Sequence, residues 1–118
     1  KNKKNLEKLE KIIHPLVRKE MLFFLKKNKN KKTIFFEIPL LIESKLTQYF
    51  DVILFIRSKK KLRFQRYKAN GGNVSLFNLL NGYQLKDTQK MKLCDYVVVN
   101  NGSLFILKRK ILNIIKKI

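Results

Sequence analysis

KTIFFEIPLLIE, residues 32–43, decides how the rest of the chain is read. Residues 33–38 are a run of β-branched and aromatic side chains with one carboxylate, closed by Pro39. That is the pattern of a buried parallel strand opening into a loop at its carboxyl end. In open α/β sheets, ligands bind just beyond the carboxyl ends of the strands. Pro39, Leu40, Leu41, Ile42 and Glu43 would supply an apolar wall there, with one carboxylate at its edge. Alone, the segment is a strand and a turn. Its weight comes from its flanks: His14-Pro15-Leu16-Val17-Arg18 upstream, and CDYVVVNNG at 94–102.

Upstream, Leu6, Leu9, Ile12, Ile13, Leu16, Val17, Met21 and Leu25 recur at helical spacing, which predicts an amphipathic helix over 5–25. Pro15 has no N–H to give to the Lys11 carbonyl, so a kink or a fresh helix start is expected at His14-Pro15. Residues 28–31 read as a polar turn. Downstream, residues 44–50 are a loop or short helix, and 51–56 read as a second strand. Ser58 is a candidate N-cap for a helix over 59–68, on which Leu62 and Arg66 share a side. Asn70-Gly71-Gly72-Asn73 demands a turn. Residues 74–80 read as helical, Asn81-Gly82 as a break, and Asp87 as the cap of a short helix to Lys92. A last strand at 95–99 precedes an amphipathic helix over 104–118. Strands separated by helical stretches imply parallel βαβ connections.

Composition narrows the class. At 118 residues, 45% of them apolar, the chain fits one globular domain. No apolar run approaches the about 18 residues needed to cross a bilayer, and no secretory signal pattern opens the chain, so no membrane association and a soluble protein are expected. The single cysteine, Cys94, rules out an internal disulfide and a cysteine-built zinc site, and fits a cytoplasmic location. The net charge of +20 invites a nucleic-acid reading. Its pattern argues against one. The 23 lysines against 5 arginines come with many asparagines and isoleucines, as AT-rich codons would supply. They are scattered through helix ends and turns rather than alternating with exposed aromatics, so no specific nucleic-acid partner is expected.

In this order and at these separations, the blocks HPLVR, PLLIE, the strand starting at Asp51, the arginines Arg63 and Arg66, Gln84 and CDYVVVNNG resemble the dephospho-CoA kinase family. The resemblance runs over nearly the whole chain. It implies an α/β fold, the P-loop NTPase-like three-layer parallel sheet of the nucleoside monophosphate kinases, incomplete in this chain. A P-loop needs glycines whose backbone N–H groups wrap phosphates, then a Lys and a Ser or Thr. The glycines here are Gly71, Gly72, Gly82 and Gly102, and none opens such a pattern. With Lys1 at its start, the chain reads as the carboxyl-terminal part of a single kinase domain over 1–118, with a substrate-binding and lid region at about 59–92. Three strands alone would leave an unpaired edge and an uncovered apolar face, which predicts marginal stability and aggregation. Without the P-loop the chain is expected to be inactive alone.

The resemblance implies ATP and Mg²⁺ as co-substrate and ion, dephospho-CoA as acceptor, and phosphorylation of its ribose 3′-hydroxyl, the last step of coenzyme A biosynthesis. Arg66 matches the family's first lid arginine, placed to stabilise charge on the transferring phosphoryl group; on composition alone, it sits on a solvated basic helix. The second lid arginine falls on Asn70 here, and Lys68 is the substitute at hand. His14 and Arg18, one helical turn apart, would face the substrate, with Arg18 a candidate for its phosphates. Read without the family, His14 is a packed or capping residue, and one histidine builds no metal site. Pro39, Leu40, Leu41 and Glu43 would line the acceptor pocket, Glu43 bonding substrate or orienting a lid arginine. Glu37 is a weaker candidate near magnesium or water. Asn100, Asn101 and Gly102 resemble the loop that contacts the adenine of ATP; read locally, they are a turn with Gly102 left-handed. Gln84 would bond within the hinge from lid to core, and Lys90 stands where the family often has Arg. No residue is a metal-ligand candidate, and oligomeric state is not readable. The alternatives are another small-molecule or nucleotide kinase of the same fold, against which the HPLVR and PLLIE pair argues, and a basic nucleic-acid-binding module. Salt-dependent DNA binding without response to ATP or dephospho-CoA would mark the module.

Overall fold

The computed structural model describes residues 2–118. Its elements, in order, are α1 (Asn2–Lys27), a single 3₁₀ turn (Thr47–Tyr49), β1 (Leu54–Arg57), α2 (Lys60–Ala69), α3 (Val74–Tyr83), α4 (Asp87–Lys92), β2 (Tyr96–Val99) and α5 (Leu104–Ile115). They fall into two compact units, Lys1–Pro39 and Leu40–Ile118.

In the first unit, α1 runs as one continuous helix with Pro15 inside it, so no fresh helix starts at His14-Pro15. Proline costs about 3 kcal/mol in a helix interior. Here it interrupts 26 residues, with good helix formers on both sides and Lys26 and Lys27 complementing the dipole in the last turn. Met21 is the buried anchor. Phe24 meets Phe36 edge-on at 5.5 Å between ring centroids, which holds the segment after α1 against the helix. The exposure of that segment, 33–38, alternates residue by residue as it does along a strand. The segment is not a strand, however, because among the described residues the sheet consists of β1 and β2 only. The β-prone side chains favour extended backbone, but a strand exists only when a neighbour takes its N–H and C=O groups.

In the second unit, β1 and β2 pair in parallel, with Leu54 opposite Tyr96 and Arg57 opposite Val99. The parallel βαβ order read from the sequence is therefore present, with three helices carried in the crossover. The strands begin later than the apolar runs implied. Val52 and Ile53 precede β1, and Asp95 does not join β2; instead its carboxylate accepts the Ile53 N–H at 2.7 Å. Val98, 2% exposed, is the most buried apolar residue of this unit, alongside Leu46 and Phe77.

Phe77 pins α3 to α2, with Phe64 at 5.2 Å and Tyr67 at 5.5 Å. The turn between these helices places Gly71 at φ +81°, where a side chain is disfavoured, and presses Gly72 against the Tyr67 ring. Asn73 then caps α3 by accepting the Leu76 N–H at 3.1 Å. Gly82 does not break α3, which continues to Tyr83. The cap of α4 is Lys86 with no side-chain bond, and Asp87 instead occupies the helix's first turn, where a negative charge suits the dipole. Ser103 caps α5. The first turn of α5 leaves Leu104 80% and Phe105 71% exposed.

Candidate functional site

The loop that leaves β2 is tied down on several sides. The Asn100 N–H donates to the Arg57 carbonyl at 2.7 Å, carrying the β1–β2 ladder one step beyond the strands. Lys110 Nζ, from α5, reaches the Val99 carbonyl at 2.9 Å. Asn101 Oδ1 accepts the Lys59 N–H at 3.1 Å. This last bond replaces the cap expected from Ser58. Lys59 is the N-cap of α2 and makes no capping bond with its own side chain, so an orphan N–H is satisfied from 42 residues away. The Ser58 carbonyl instead accepts from Arg63 Nε at 3.3 Å.

The two arginines of α2 have different stations. Arg63 is part-buried and bonds Asn81 Oδ1 at 3.0 Å, fastening α2 to α3. Arg66 is exposed and extends the other way, with Nη1 donating to the Asn100 carbonyl at 3.0 Å and Nη2 to the Gly102 carbonyl at 3.4 Å. Four residues singled out in the sequence, Arg66, Asn100, Asn101 and Gly102, are thus one cluster. They gather at the carboxyl end of β2, where α/β sheets place their ligands.

A family model described as dephospho-CoA kinase matches residues 1–105. The chain belongs to the dephospho-CoA kinase family. It is 32% identical over 113 residues to a protein of Rickettsia typhi named dephospho-CoA kinase, an alignment covering 95% of this chain and 59% of that protein. It is 35% identical over 113 residues to a protein of the same name from Fusobacterium nucleatum, covering 93% and 57%. A Wolbachia pipientis relative of that name is 28% identical over 96 residues. The chain therefore spans between 49% and 59% of the length of these curated relatives. The resemblance carried by HPLVR, PLLIE and VVVNNG is a family relationship, and the α/β architecture with its parallel sheet agrees with it.

A second cluster of this dephospho-CoA kinase relative lies at the turn after Pro39. Leu40 sits at φ 56°, a conformation L-residues avoid, and so does Lys45 at φ 57°. The Leu40 carbonyl accepts the Ser44 N–H at 2.9 Å and the Leu41 carbonyl accepts the Leu46 N–H at 3.2 Å, so the turn is closed by its own backbone. Glu43 projects from it onto Lys90 Nζ at 2.7 Å, with the two side chains only 13% and 10% exposed. The same carboxylate oxygen accepts the Leu85 N–H at 3.1 Å. Lys90 also bonds Gln84 Oε1 at 3.3 Å and lies 5.5 Å from the centre of the Phe55 ring. Burial pushes the Glu43 carboxyl up, but Lys90, the Leu85 N–H and its own backbone N–H together outweigh burial and hold it below its ordinary range. Burial, with the charge of Asp95, pushes the Cys94 thiol up.

Glu43 therefore meets a lysine, not an arginine of α2. Gln84 lies in the same network, between α3 and α4. Lys90 is the residue the sequence undervalued. A lysine at helical position four of six reads as solvated, and its burial follows only from a carboxylate 47 positions earlier. On α1, His14 is half-buried and Arg18 exposed, one turn apart. Glu37 lines a shallow groove of the first unit with Leu16, Glu20, Met21 and Phe36.

Among the described residues, no group of three or more His, Cys, Asp or Glu side chains is arranged to hold a metal ion. Three carboxylates of the second unit are already engaged: Glu43 with Lys90, Asp87 with Arg57 at 3.4 Å, and Asp95 with the Ile53 N–H. A resident magnesium site does not fit these residues. Among the described residues, no helix is long and apolar enough to cross a membrane.

Proposed function

We propose that this chain is the acceptor-binding, lid and adenine-loop part of a dephospho-CoA kinase, acting within a single kinase domain in the cytoplasm. The reaction is transfer of the γ-phosphoryl group of ATP, taken with its Mg²⁺ as co-substrate, to the ribose 3′-hydroxyl of dephospho-CoA. It is the last step of coenzyme A biosynthesis. The observation that carries this reading is the family match over residues 1–105, together with the gathering of Arg66 and residues 100–102 at the carboxyl end of β2.

Phosphoryl transfer asks the protein mainly for position and positive charge. Arg18 and His14 serve the acceptor, Arg18 as a fork for its phosphates. The turn at Pro39, Leu40 and Leu41 gives the acceptor an apolar wall, and Glu43, held as a carboxylate by Lys90, fixes that wall in place. Asn100, Asn101 and Gly102 receive the adenine of ATP, the amide groups offering both donors and acceptors to a purine edge. Arg66 supplies charge to the phosphoryl group in flight. A P-loop outside these 118 residues holds the ATP phosphates, so the chain alone turns over nothing.

The test is ATP-dependent phosphorylation of dephospho-CoA by the full-length gene product that carries this chain. Arg18→Ala and Arg66→Ala should each lower kcat/KM by at least about tenfold, the size of one lost charge-assisted bond. Turnover indifferent to both substitutions would overturn the assignment.

A further inference from the structure

We infer that Arg66 is also a positioning residue for nucleotide binding, bracing the loop of residues 100–102 in the form that receives a base. The inference rests on the assignment of that loop to the adenine of ATP.

The bonds themselves make the case. Arg66 directs its guanidinium not to a carboxylate but to two backbone carbonyls, those of Asn100 and Gly102, at 3.0 and 3.4 Å. A planar fork bonded to carbonyls two residues apart fixes the curvature of the backbone between them, which a flexible ammonium does not do. The residue in the middle is Asn101, and its side chain is fixed as well. The Lys59 N–H at 3.1 Å can only donate, so the atom facing it is Oδ1. The NH₂ group of Asn101 is left as the donor that meets a ligand. Ring nitrogens of a purine are acceptors, and a donor held at both of its hinges is the match for one of them.

With the carbonyls of Asn100 and Gly102 taken by Arg66, and that of Val99 at the end of β2 by Lys110, two of the loop's carbonyls and the last one of the strand are already satisfied by cationic side chains. A base therefore docks onto a shaped loop and does not have to order it, which is where an exposed arginine gains influence over affinity. Arg66 acts here through the loop, without touching the base; it braces the loop as the base docks and serves the phosphoryl group only in the later transfer step.

Adenosine separates this role from charge stabilisation, because it carries no phosphate. Its affinity is measured by calorimetry with the full-length gene product, native and as Arg66→Ala, Arg66→Gln, Arg66→Lys and Asn101→Ala. The expected result is about tenfold weaker adenosine binding for Arg66→Ala and for Asn101→Ala. Arg66→Gln and Arg66→Lys should recover part of the loss, since each can still serve one carbonyl. Thermal midpoints checked alongside distinguish a lost brace from a lost fold; Arg66→Gln stands in should Arg66→Ala fold poorly. Native-like adenosine affinity in Arg66→Ala and Arg66→Gln, with turnover still reduced, would overturn the inference and leave the phosphoryl role of Arg66 standing. Native-like affinity in Asn101→Ala as well, in a protein that binds and uses ATP, would show that the base sits elsewhere, and the reading of the loop would fall with it.

Discussion

Replacing Lys90 by Met removes the ammonium that Glu43 faces while keeping an unbranched stem over the Phe55 ring. In the native chain the Glu43 carboxylate accepts from Lys90 at 2.7 Å and from the Leu85 N–H at 3.1 Å, in a place where the carboxylate side chain is 13% exposed. After the substitution only backbone N–H groups remain on the carboxylate, those of Leu85 and of Glu43 itself, and a largely buried charge loses its partner. Removing one member of a buried pair costs about 3–5 kcal/mol. The residual exposure argues for the lower end, about 3 kcal/mol. Most of that cost is the stranded charge, not the worth of the pair. The double variant Lys90→Met with Glu43→Gln should therefore recover more than half of it, since Gln keeps the acceptor for Leu85 and brings no charge. Urea unfolding of the full-length gene product reads this as a fall in midpoint at unchanged slope.

The pH dependence fixes the sign. A carboxyl held below its ordinary value contributes stability that is present above the unfolded value, about 4.3 for glutamate, and is lost as pH falls through the folded value. The gap between native and Lys90→Met should thus be widest near neutrality and close in acid, where Glu43 becomes neutral in both. A Lys90→Met variant within about 0.5 kcal/mol of native at pH 7, or a gap that widens on acidification, would refute the reasoning.

Substitutions at three other positions test other parts of the structure. At Lys45, with φ 57°, Lys45→Gly should be more stable than Lys45→Ala by about 1 kcal/mol, the reverse of their order in ordinary backbone; equal midpoints would mean the turn is not left-handed. A Cβ added at Gly72 would run into the Tyr67 ring, so Gly72→Ala should displace that ring from Phe77 and cost about 2 kcal/mol, seen as a lower unfolding midpoint. Asn101→Ala orphans the Lys59 N–H and should cost about 1 kcal/mol, whereas Asn101→Asp should keep the cap and the stability; amide exchange at Lys59 checks both.

Local signals carried much of this fold and not all of it. The order of apolar strand and amphipathic helix was enough for a parallel pair, and Gly71-Gly72 enough for the turn between α2 and α3, because both depend on neighbours in sequence. Residues 33–38 have the side chains of a strand but no partner strand in the sheet, and pairing is a property of two segments. Pro15 and Gly82 read as breakers, yet the helices around them continue, since a local cost is outweighed by the turns on either side. Ser58 was the nearest polar side chain to the start of α2, but Asn101, brought there by the parallel register of β1 and β2, supplies the capping oxygen. At the site, HPLVR, PLLIE and VVVNNG were readable as a family pattern. That Arg66 reaches the loop after β2, and that Glu43 is held by Lys90, depends on contacts 36 and 47 positions apart that no periodicity encodes.

The central claim is the reaction, and its products test it most directly. The full-length gene product, incubated with ATP and dephospho-CoA, should yield ADP and coenzyme A one for one, with the new phosphate on the ribose 3′ oxygen by mass spectrometry and phosphorus NMR. ATP consumed with dephospho-CoA unchanged, or a nucleoside monophosphate phosphorylated in its place, would contradict the account.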